Sequence, residues 1–173
     1  MVGGRDLTFE GLDEVMPDVD RLLDGHATVG RWTLGQILRH LSTTIRLTIP
    51  ADGTPPRPTR TPPPSPRGSL IRRRFFAAGR FPAGVEIPLP VLDPPPGLDD
   101  RAEAASLGEA IEGLGRAEGA FPTHPMLGPL SKAEWTSFHR MHCAHHLAFA
   151  VPTASGPSAV DAGAGPVVEG EPS

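Results

Sequence analysis

The 173 residues match the length of one domain, and an apolar fraction of 38% is enough for a single hydrophobic core. A net charge of -4 with scattered arginines offers no basic face, which argues against nucleic-acid binding. The one cysteine, Cys143, excludes an intramolecular disulfide and a cysteine zinc cluster, and no apolar run approaches the ~20 residues that span a bilayer. We therefore expect a cytoplasmic protein with no membrane contact, in which histidine and carboxylate side chains would have to hold any metal.

The first predicted helix is amphipathic and covers Phe9 to Leu23, where apolar residues recur at three- and four-residue steps with acids between them. Thr8 is the expected N-cap, and Gly25 is the expected stop. Pro17 lies inside this segment, so we expect a kink there.

A second helix is predicted to begin at Thr33, because Thr33 and Gln36 have the spacing of a capping box, and to continue to about Ile49. His40 lies on a stripe beside the centre of the apolar face. This helix is therefore apolar over a wide arc and should contact two neighbours.

Residues 50–98 hold 14 of the 22 prolines and are expected to form a long connection rather than a long helix. Within it we expect a mobile loop over residues 52–66 and short helical pieces such as Leu70 to Ala78. The one strand candidate is Gly84 to Val91, whose prolines argue against a central strand.

Two more helices are predicted after this connection, from Ser106 to about Gly119 and from Ser131 to about Ala150. Each serine is followed three residues later by a glutamate, which is the spacing of a capping box. Residues 152–173 are rich in Gly, Ala, Ser and Pro and should form a disordered tail. Residues 1–151 are thus predicted to be an all-α four-helix bundle with a long proline-rich crossover between helices 2 and 3. Such bundles build metal sites from facing helices.

Four of the seven histidines fall within eight residues of the last predicted helix: His139, His142, His145 and His146. At about 100° per residue, His142 points close to the centre of the apolar face, and His145 and His146 flank it. Buried imidazoles need partners for their nitrogens, and a divalent metal satisfies them well. The cluster therefore predicts a metal site inside the bundle.

His142 and His146 are four residues apart, so both can present a nitrogen to one ion. His40 is the only histidine of the second helix, and its apolar neighbours suggest that it points inward as a third ligand. Geometry does not separate His145 from His146 as the partner of His142. Core histidines satisfied by other side chains or by water remain the alternative.

Three other residues are candidates for roles near the site without binding the metal. His139, at the edge of the histidine face, is expected to be a rim residue or a substrate contact. His124 precedes the last helix and is expected to cap that helix or to reach the pocket. Gln36 lies one turn before His40 and either hydrogen-bonds the free nitrogen of that ring or is solvated.

Three segments together resemble the DinB-like superfamily: WTLGQILRHL at residues 32–41, HPMLGPLSKAEW at residues 124–135 and HCAHHL at residues 142–147. Within it the sequence is most similar to an uncharacterised branch with an HP-x-x-G loop before the last helix. The resemblance extends from about Leu7 to Pro152. The proline-rich connection departs from it.

The resemblance implies an up-down-down-up four-helix bundle with a three-histidine divalent site, often zinc or nickel, whose ligands here would be His40, His142 and His146. Related proteins include transferases and isomerases that use mycothiol, bacillithiol or glutathione. The implied function is a metal-dependent enzyme, most plausibly a transferase acting on a small-molecule substrate through a low-molecular-weight thiol. His145 and His139 would then be catalytic residues, and His124 and Gln36 would contact either the metal ligands or the substrate.

Three alternatives remain open from the sequence. A metal-activated water would make the protein a hydrolase. A site closed by a fourth protein ligand would indicate a non-catalytic metal-binding or stress-response protein. A metal-free bundle would bind an apolar ligand between its helices. In each case a homodimer formed through exposed helix faces is an expectation for a bundle of this size.

Overall fold

The computed structural model describes residues 4–50, 66–81 and 92–153, with side chains from residue 69 onward in the second range. This part of the chain is mostly helical, as predicted, but it also contains short strands. None of its helices combines the length and the apolarity that crossing a bilayer requires. In chain order the helices and strands are Val15–Leu23 (α1), His26–Thr28 (β1), Leu34–Arg46 (α2), Pro66–Ala78 (α3), Asp100–Arg116 (α4), Thr123–His124 (β2), Gly128–Pro129 (β3), Lys132–Leu147 (α5) and Ala150–Pro152 (β4).

Four helices, α1, α2, α4 and α5, share one hydrophobic core. α2 and α4 lie against each other along much of their length, and α5 contacts α2 on another side. Burial of each leucine or isoleucine stabilises the fold by about 1.5–3 kcal/mol. Core members that are at most 1% exposed include Val15, Val19 and Leu22 of α1, Leu34, Leu38, Leu41 and Ile45 of α2, Leu107 and Leu114 of α4, and Leu147 of α5.

The strands form two small antiparallel pairs that the sequence analysis did not predict. β1 pairs with β4, which joins the segment after α1 to the segment after α5, with Ala27 opposite Val151. β2 pairs with β3 in a hairpin just before α5. Runs of two or three residues are too short to show an alternating pattern, so the all-α prediction omits them.

The first helix begins later than predicted. A 3₁₀ turn over Leu12–Glu14 precedes α1, so Thr8 is not its N-cap, and the helix ends at Leu23, ahead of Gly25. Pro17 is the third residue of α1. Because the first backbone N–H groups of a helix have no intrahelical partner, a proline there removes no bond, and it serves as part of the start rather than as a kink.

The predicted starts of α2 and α5 are confirmed. Thr33 accepts a hydrogen bond from the Gln36 backbone N–H at 3.3 Å, and the Gln36 side chain accepts one from the Thr33 N–H at 3.0 Å. Ser131 and Glu134 make the same reciprocal pair at the start of α5. Both helices end three residues before the predicted positions, at Arg46 and Leu147.

The predicted start of α4 is wrong. Asp99 is the N-cap and accepts a hydrogen bond from the Ala102 N–H at 2.8 Å, seven residues before Ser106. Ser106 lies inside the helix, where its hydroxyl accepts a hydrogen bond from Arg46 at 2.8 Å. Both Ser106 and Asp99 have the side chain of an N-cap, and the helical stretch between them contacts α2 through Glu103, which pairs with Arg39.

An ion pair orients α2 between its two neighbours. Arg39 donates hydrogen bonds of 2.6 and 2.5 Å to the carboxylate of Glu103, which lies buried on α4. His40, the next residue, is therefore turned about 100° away, toward α5. The predicted contact of α2 with two neighbours is confirmed by this arrangement.

Several predictions concern residues that the structure does not describe. The loop predicted over residues 52–66 lies outside the described residues apart from Pro66, and so does the strand candidate Gly84 to Val91. The helical piece predicted at Leu70 to Ala78 is part of the longer α3. Pro152, assigned to the predicted tail, pairs with His26 as the last residue of β4.

Candidate metal centre

Three imidazoles from two helices meet at one point. His40 comes from the middle of α2, and His142 and His146 lie one turn apart on α5. One nitrogen from each ring lies within 4.8 Å of the other two, which is close enough to bind a common metal ion. Nε2 of His40 and Nε2 of His142 are 3.3 Å apart. Two nitrogens bound to one tetrahedral zinc ion are separated by about the same distance, ~3.3 Å.

The backbone fixes the orientation of His40. Its Nδ1 lies 2.8 Å from the carbonyl oxygen of Leu92. A carbonyl can only accept, so Nδ1 carries the proton and donates it. The lone pair of the neutral ring is then on Nε2, which faces His142. A hydrogen bond of this kind is typical of metal-binding histidines.

All three rings are held in the neutral form. Burial lowers the pKa of His40 and His146, the latter to about 3, and lowers the pKa of His142 well below its ordinary value. The neighbouring imidazoles add to the effect at His142 and His146, because two positive charges in one small space repel each other. Neutral imidazole is the form that binds metal. The donor set therefore fits a divalent ion without prior loss of protons.

Two aromatic side chains pack against the cluster. The ring of Trp32 stacks on His146 at 5.6 Å between centroids and lies 5.0 Å from His40. Phe81 packs against the third ring of the cluster, with its centroid 4.9 Å from that of His142. Trp32 was visible in the sequence as part of a motif. Phe81 was not, because it follows α3 in the proline-rich connection and belongs to no periodic pattern.

His145 lies beside the cluster rather than in it. The set of nitrogens that can share one ion contains His146, while the ring of His145 is 5.0 Å from that of His146 and 5.6 Å from Phe81. His145 also lines a cleft of about 220 Å³ together with Arg80, Phe81 and Arg140. This histidine thus connects the cluster to an open surface.

His139 is not at a rim. It is 1% exposed, its ring stacks on Trp135 at 5.7 Å, and its Nε2 lies 3.0 Å from the hydroxyl oxygen of Thr48. Burial, with a smaller effect from His124, lowers the pKa of His139 to about 3. Its position on the edge of the histidine face suggested exposure, but the loop after α2 covers that edge.

His124 shapes the β2–β3 hairpin. Its Nδ1 accepts hydrogen bonds from the backbone N–H groups of Met126 and Leu127, both at 3.1 Å. Burial lowers its pKa to about 4, which keeps Nδ1 available as an acceptor. Gly128, which follows the tip, has a φ of +77°, a conformation that favours glycine. The HP-x-x-G segment is thus a tight turn in which the histidine takes the place of a backbone acceptor.

Both polar atoms of the Gln36 side-chain amide form hydrogen bonds. The amide oxygen accepts a hydrogen bond from Thr33, and the amide nitrogen donates to the carbonyl oxygen of Pro94 at 3.1 Å. It therefore holds the segment that also supplies the Leu92 carbonyl to His40. Its effect on the histidine acts through that segment.

Cys143 packs in the hydrophobic core and is fully buried. Burial raises the pKa of its thiol to about 12, so the thiolate does not form near neutral pH. Cys143 is therefore a packing residue of the core.

A family model described as Protein of unknown function (DUF1569) matches residues 1–153. The chain belongs to this family. DUF1569 is a DinB-like family, which confirms the resemblance found in the sequence motifs. Comparison with curated proteins and with solved structures finds no significant match. The three histidines all lie within the range that the DUF1569 model covers.

Proposed function

We propose that this DUF1569 protein is a metal-dependent enzyme in which His40, His142 and His146 hold a divalent ion, zinc or nickel, in a DinB-like four-helix bundle. Its reaction would be a transfer that uses a low-molecular-weight thiol and a small-molecule substrate. The observation that carries the proposal is the meeting of three neutral imidazoles from α2 and α5 within 4.8 Å. We assign the chain to the branch with the HP-x-x-G loop.

The donor set suits this chemistry. A bound divalent ion would lower the pKa of a thiol or water ligand and so make a nucleophile available near neutral pH. Three histidine ligands are typical of catalytic sites, whereas structural sites more often have four protein ligands. In the described part of the chain, no carboxylate or cysteine joins the three histidines in this set.

The surrounding residues would control access and protons. Trp32 and Phe81 pack against the cluster and would limit its contact with bulk water, which strengthens electrostatic interactions inside. We assign His145 as the group that takes the proton from the thiol S–H at a ring nitrogen, because it lies between the cluster and the cleft. The cleft of about 220 Å³ would accept part of a small substrate.

The experiment uses full-length protein purified without a polyhistidine tag. Metal content is measured by mass spectrometry, the ion is replaced by cobalt(II), and glutathione, mycothiol and bacillithiol are each titrated in. We expect one ion per chain and, with one of these thiols, a saturable thiolate-to-cobalt charge-transfer band. A matched control is His26→Ala, which changes a histidine on β1 outside the set of three. This variant protein should bind one ion, as the unaltered protein does.

The outcomes separate the candidate functions. One ion per chain with no charge-transfer band for any thiol would overturn the transferase and leave a metal-dependent hydrolase or a metal-binding protein without catalysis. The absence of any stoichiometric ion would overturn the metal centre itself.

A further inference from the structure

Among the described side chains, three buried polar atoms have no hydrogen-bond partner, and two of them are ring nitrogens on adjacent turns of α5: Nδ1 of His139 and Nδ1 of His142. Residues three apart on a helix have Cβ atoms about 5–6 Å apart. Buried polar groups in proteins are nearly always paired. The two nitrogens therefore invite one common explanation.

The proton on His139 can be assigned from its neighbour. The hydroxyl of Thr48 donates its one proton to the carbonyl oxygen of Ile45 at 2.7 Å. The Thr48 oxygen can then only accept from His139, whose Nε2 lies 3.0 Å away. His139 therefore carries its proton on Nε2, and its Nδ1 is an acceptor without a donor.

The proton on His142 depends on whether an ion is bound. His40 presents a lone pair at Nε2, so without an ion the 3.3 Å contact requires His142 to donate from its own Nε2. With an ion on Nε2, a neutral His142 must carry its proton on Nδ1. That Nδ1–H group is then a donor without an acceptor. For His40 the corresponding acceptor is the carbonyl oxygen of Leu92.

We propose that one internal water binds between Nδ1 of His142 and Nδ1 of His139 and that His139 is a positioning residue for the metal ligand. The inference rests on the proposed metal centre. His142 donates to the water, the water donates to His139, His139 donates to Thr48, and Thr48 donates to the Ile45 carbonyl. Each imidazole N–H and the Thr48 hydroxyl in this chain then meets an acceptor, and the four hydrogen bonds run in one direction.

Two further features suit this role. The ring of Trp135 stacks on His139 with an interplanar angle of 20°, which restricts rotation of the imidazole. A water needs at least two polar partners to be stable in a buried site, and the two nitrogens supply one acceptor and one donor. Through the water, His139 would accept the Nδ1–H hydrogen bond of His142, as the Leu92 carbonyl accepts the Nδ1–H hydrogen bond of His40.

The first test is spectroscopic. Full-length protein with 15N-labelled histidine is studied by long-range 1H–15N correlation, before and after the addition of zinc. We expect the proton of His142 to move from Nε2 to Nδ1 when zinc binds, while His139 keeps its proton on Nε2 throughout. A zinc-loaded protein in which His139 carries its proton on Nδ1 would overturn the proposal.

The second test compares zinc affinity among variants. His139→Phe keeps a ring but removes the acceptor, and we expect 10–100-fold weaker zinc binding, the usual effect of losing a partner of a metal ligand. His139→Gln offers a carbonyl oxygen and should recover part of the loss. Ser42→Ala is the matched control, since Ser42 is a buried residue of α2 whose hydroxyl donates only to Arg39 of its own helix.

The results distinguish this inference from the metal centre on which it rests. Unchanged zinc affinity in a folded His139→Phe protein would overturn the role of His139 and leave the metal centre standing. Failure of the unaltered protein to bind zinc would overturn both. If His139→Phe does not fold, the spectroscopic test on the unaltered protein decides.

Discussion

Two regions of this protein bury histidines in different hydrogen-bonding environments. In the β2–β3 hairpin, Nδ1 of His124 accepts two backbone hydrogen bonds, and no ligand is needed to explain the ring. In the cluster between α2 and α5, His40 and His142 turn their Nε2 atoms toward each other at 3.3 Å. Both regions are buried, and burial lowers the pKa of the rings in both.

The difference shows that burial of a histidine does not by itself indicate a metal. What distinguishes the cluster is the direction of its lone pairs. The Nδ1 atom of the hairpin histidine accepts from backbone N–H groups, whereas one nitrogen of each cluster histidine faces the other two rings, an arrangement that could hold a shared metal ion. Variants of the two regions should therefore separate metal binding from stability.

The largest expected effect is loss of the metal. His142→Ala removes one of the three proposed ligands and should abolish stoichiometric metal, and His40→Ala should weaken binding strongly. Mass spectrometry measures the metal content of the two variants, and calorimetry measures their affinity for the metal. Full metal content in both variants would contradict the assignment.

Metal removal should lower stability through the same cluster. An ion that binds only the folded chain stabilises it by about 2.7 kcal/mol when its free concentration is 100 times Kd. Thermal unfolding with and without a chelator should therefore show a lower Tm without metal. In His142→Ala the chelator should have no effect, and a shift that persisted there would point to a different metal site.

A substitution in the hairpin should lower stability without affecting metal binding. His124→Leu leaves the N–H groups of Met126 and Leu127 without their acceptor, which should lower the free energy of unfolding by about 1–3 kcal/mol. Metal stoichiometry should stay unchanged. Denaturant unfolding and metal analysis of the same sample check both, and loss of metal would mean that the hairpin and the cluster are coupled.

Acid should reduce the difference in stability between the unaltered protein and His124→Leu. The pKa of His124 is about 4 in the folded protein, below the ordinary value of 6.5, so folding favours its neutral form. The free energy of unfolding contributed by this group is fully present above pH 6.5 and falls as the pH drops from 6.5 toward 4. In metal-free protein, the stability gap between the unaltered chain and His124→Leu should be smaller at pH 4.5 than at pH 7. A constant gap would exclude titration of His124.

The smallest effects are expected at the helix caps of the cluster. Thr33→Ala and Ser131→Ala remove the N-caps of the helices that carry His40 and the His142–His146 pair. Each should lower the free energy of unfolding by about 1 kcal/mol and leave metal stoichiometry unchanged. Denaturant unfolding measures the first quantity and metal analysis the second. Loss of metal in either variant would show that the helix starts, and not only the core, hold the ligands in place.

Local signals explain which elements were predictable. The capping boxes at Thr33 and Ser131 are local and unambiguous, so the starts of α2 and α5 were predicted correctly. At α4 the helix begins after Asp99 rather than at the predicted Ser106, and the added residues include Glu103, which pairs with Arg39 of α2, a contact that no local pattern predicts. The strand pair β1–β4 joins residues more than 120 positions apart. No pattern within either segment indicates that contact.

The amino-acid sequence by itself determined that helices carry His40, His142 and His146, because apolar periodicity and helix caps act within a few residues. The tertiary structure alone decided where each ring nitrogen points. The carbonyl of Leu92, the hydroxyl of Thr48 and the ring of Phe81 come from distant segments and orient the histidines. Hydrogen-bond direction and burial depend on these distant partners, and the spacing of residues along one helix does not contain them.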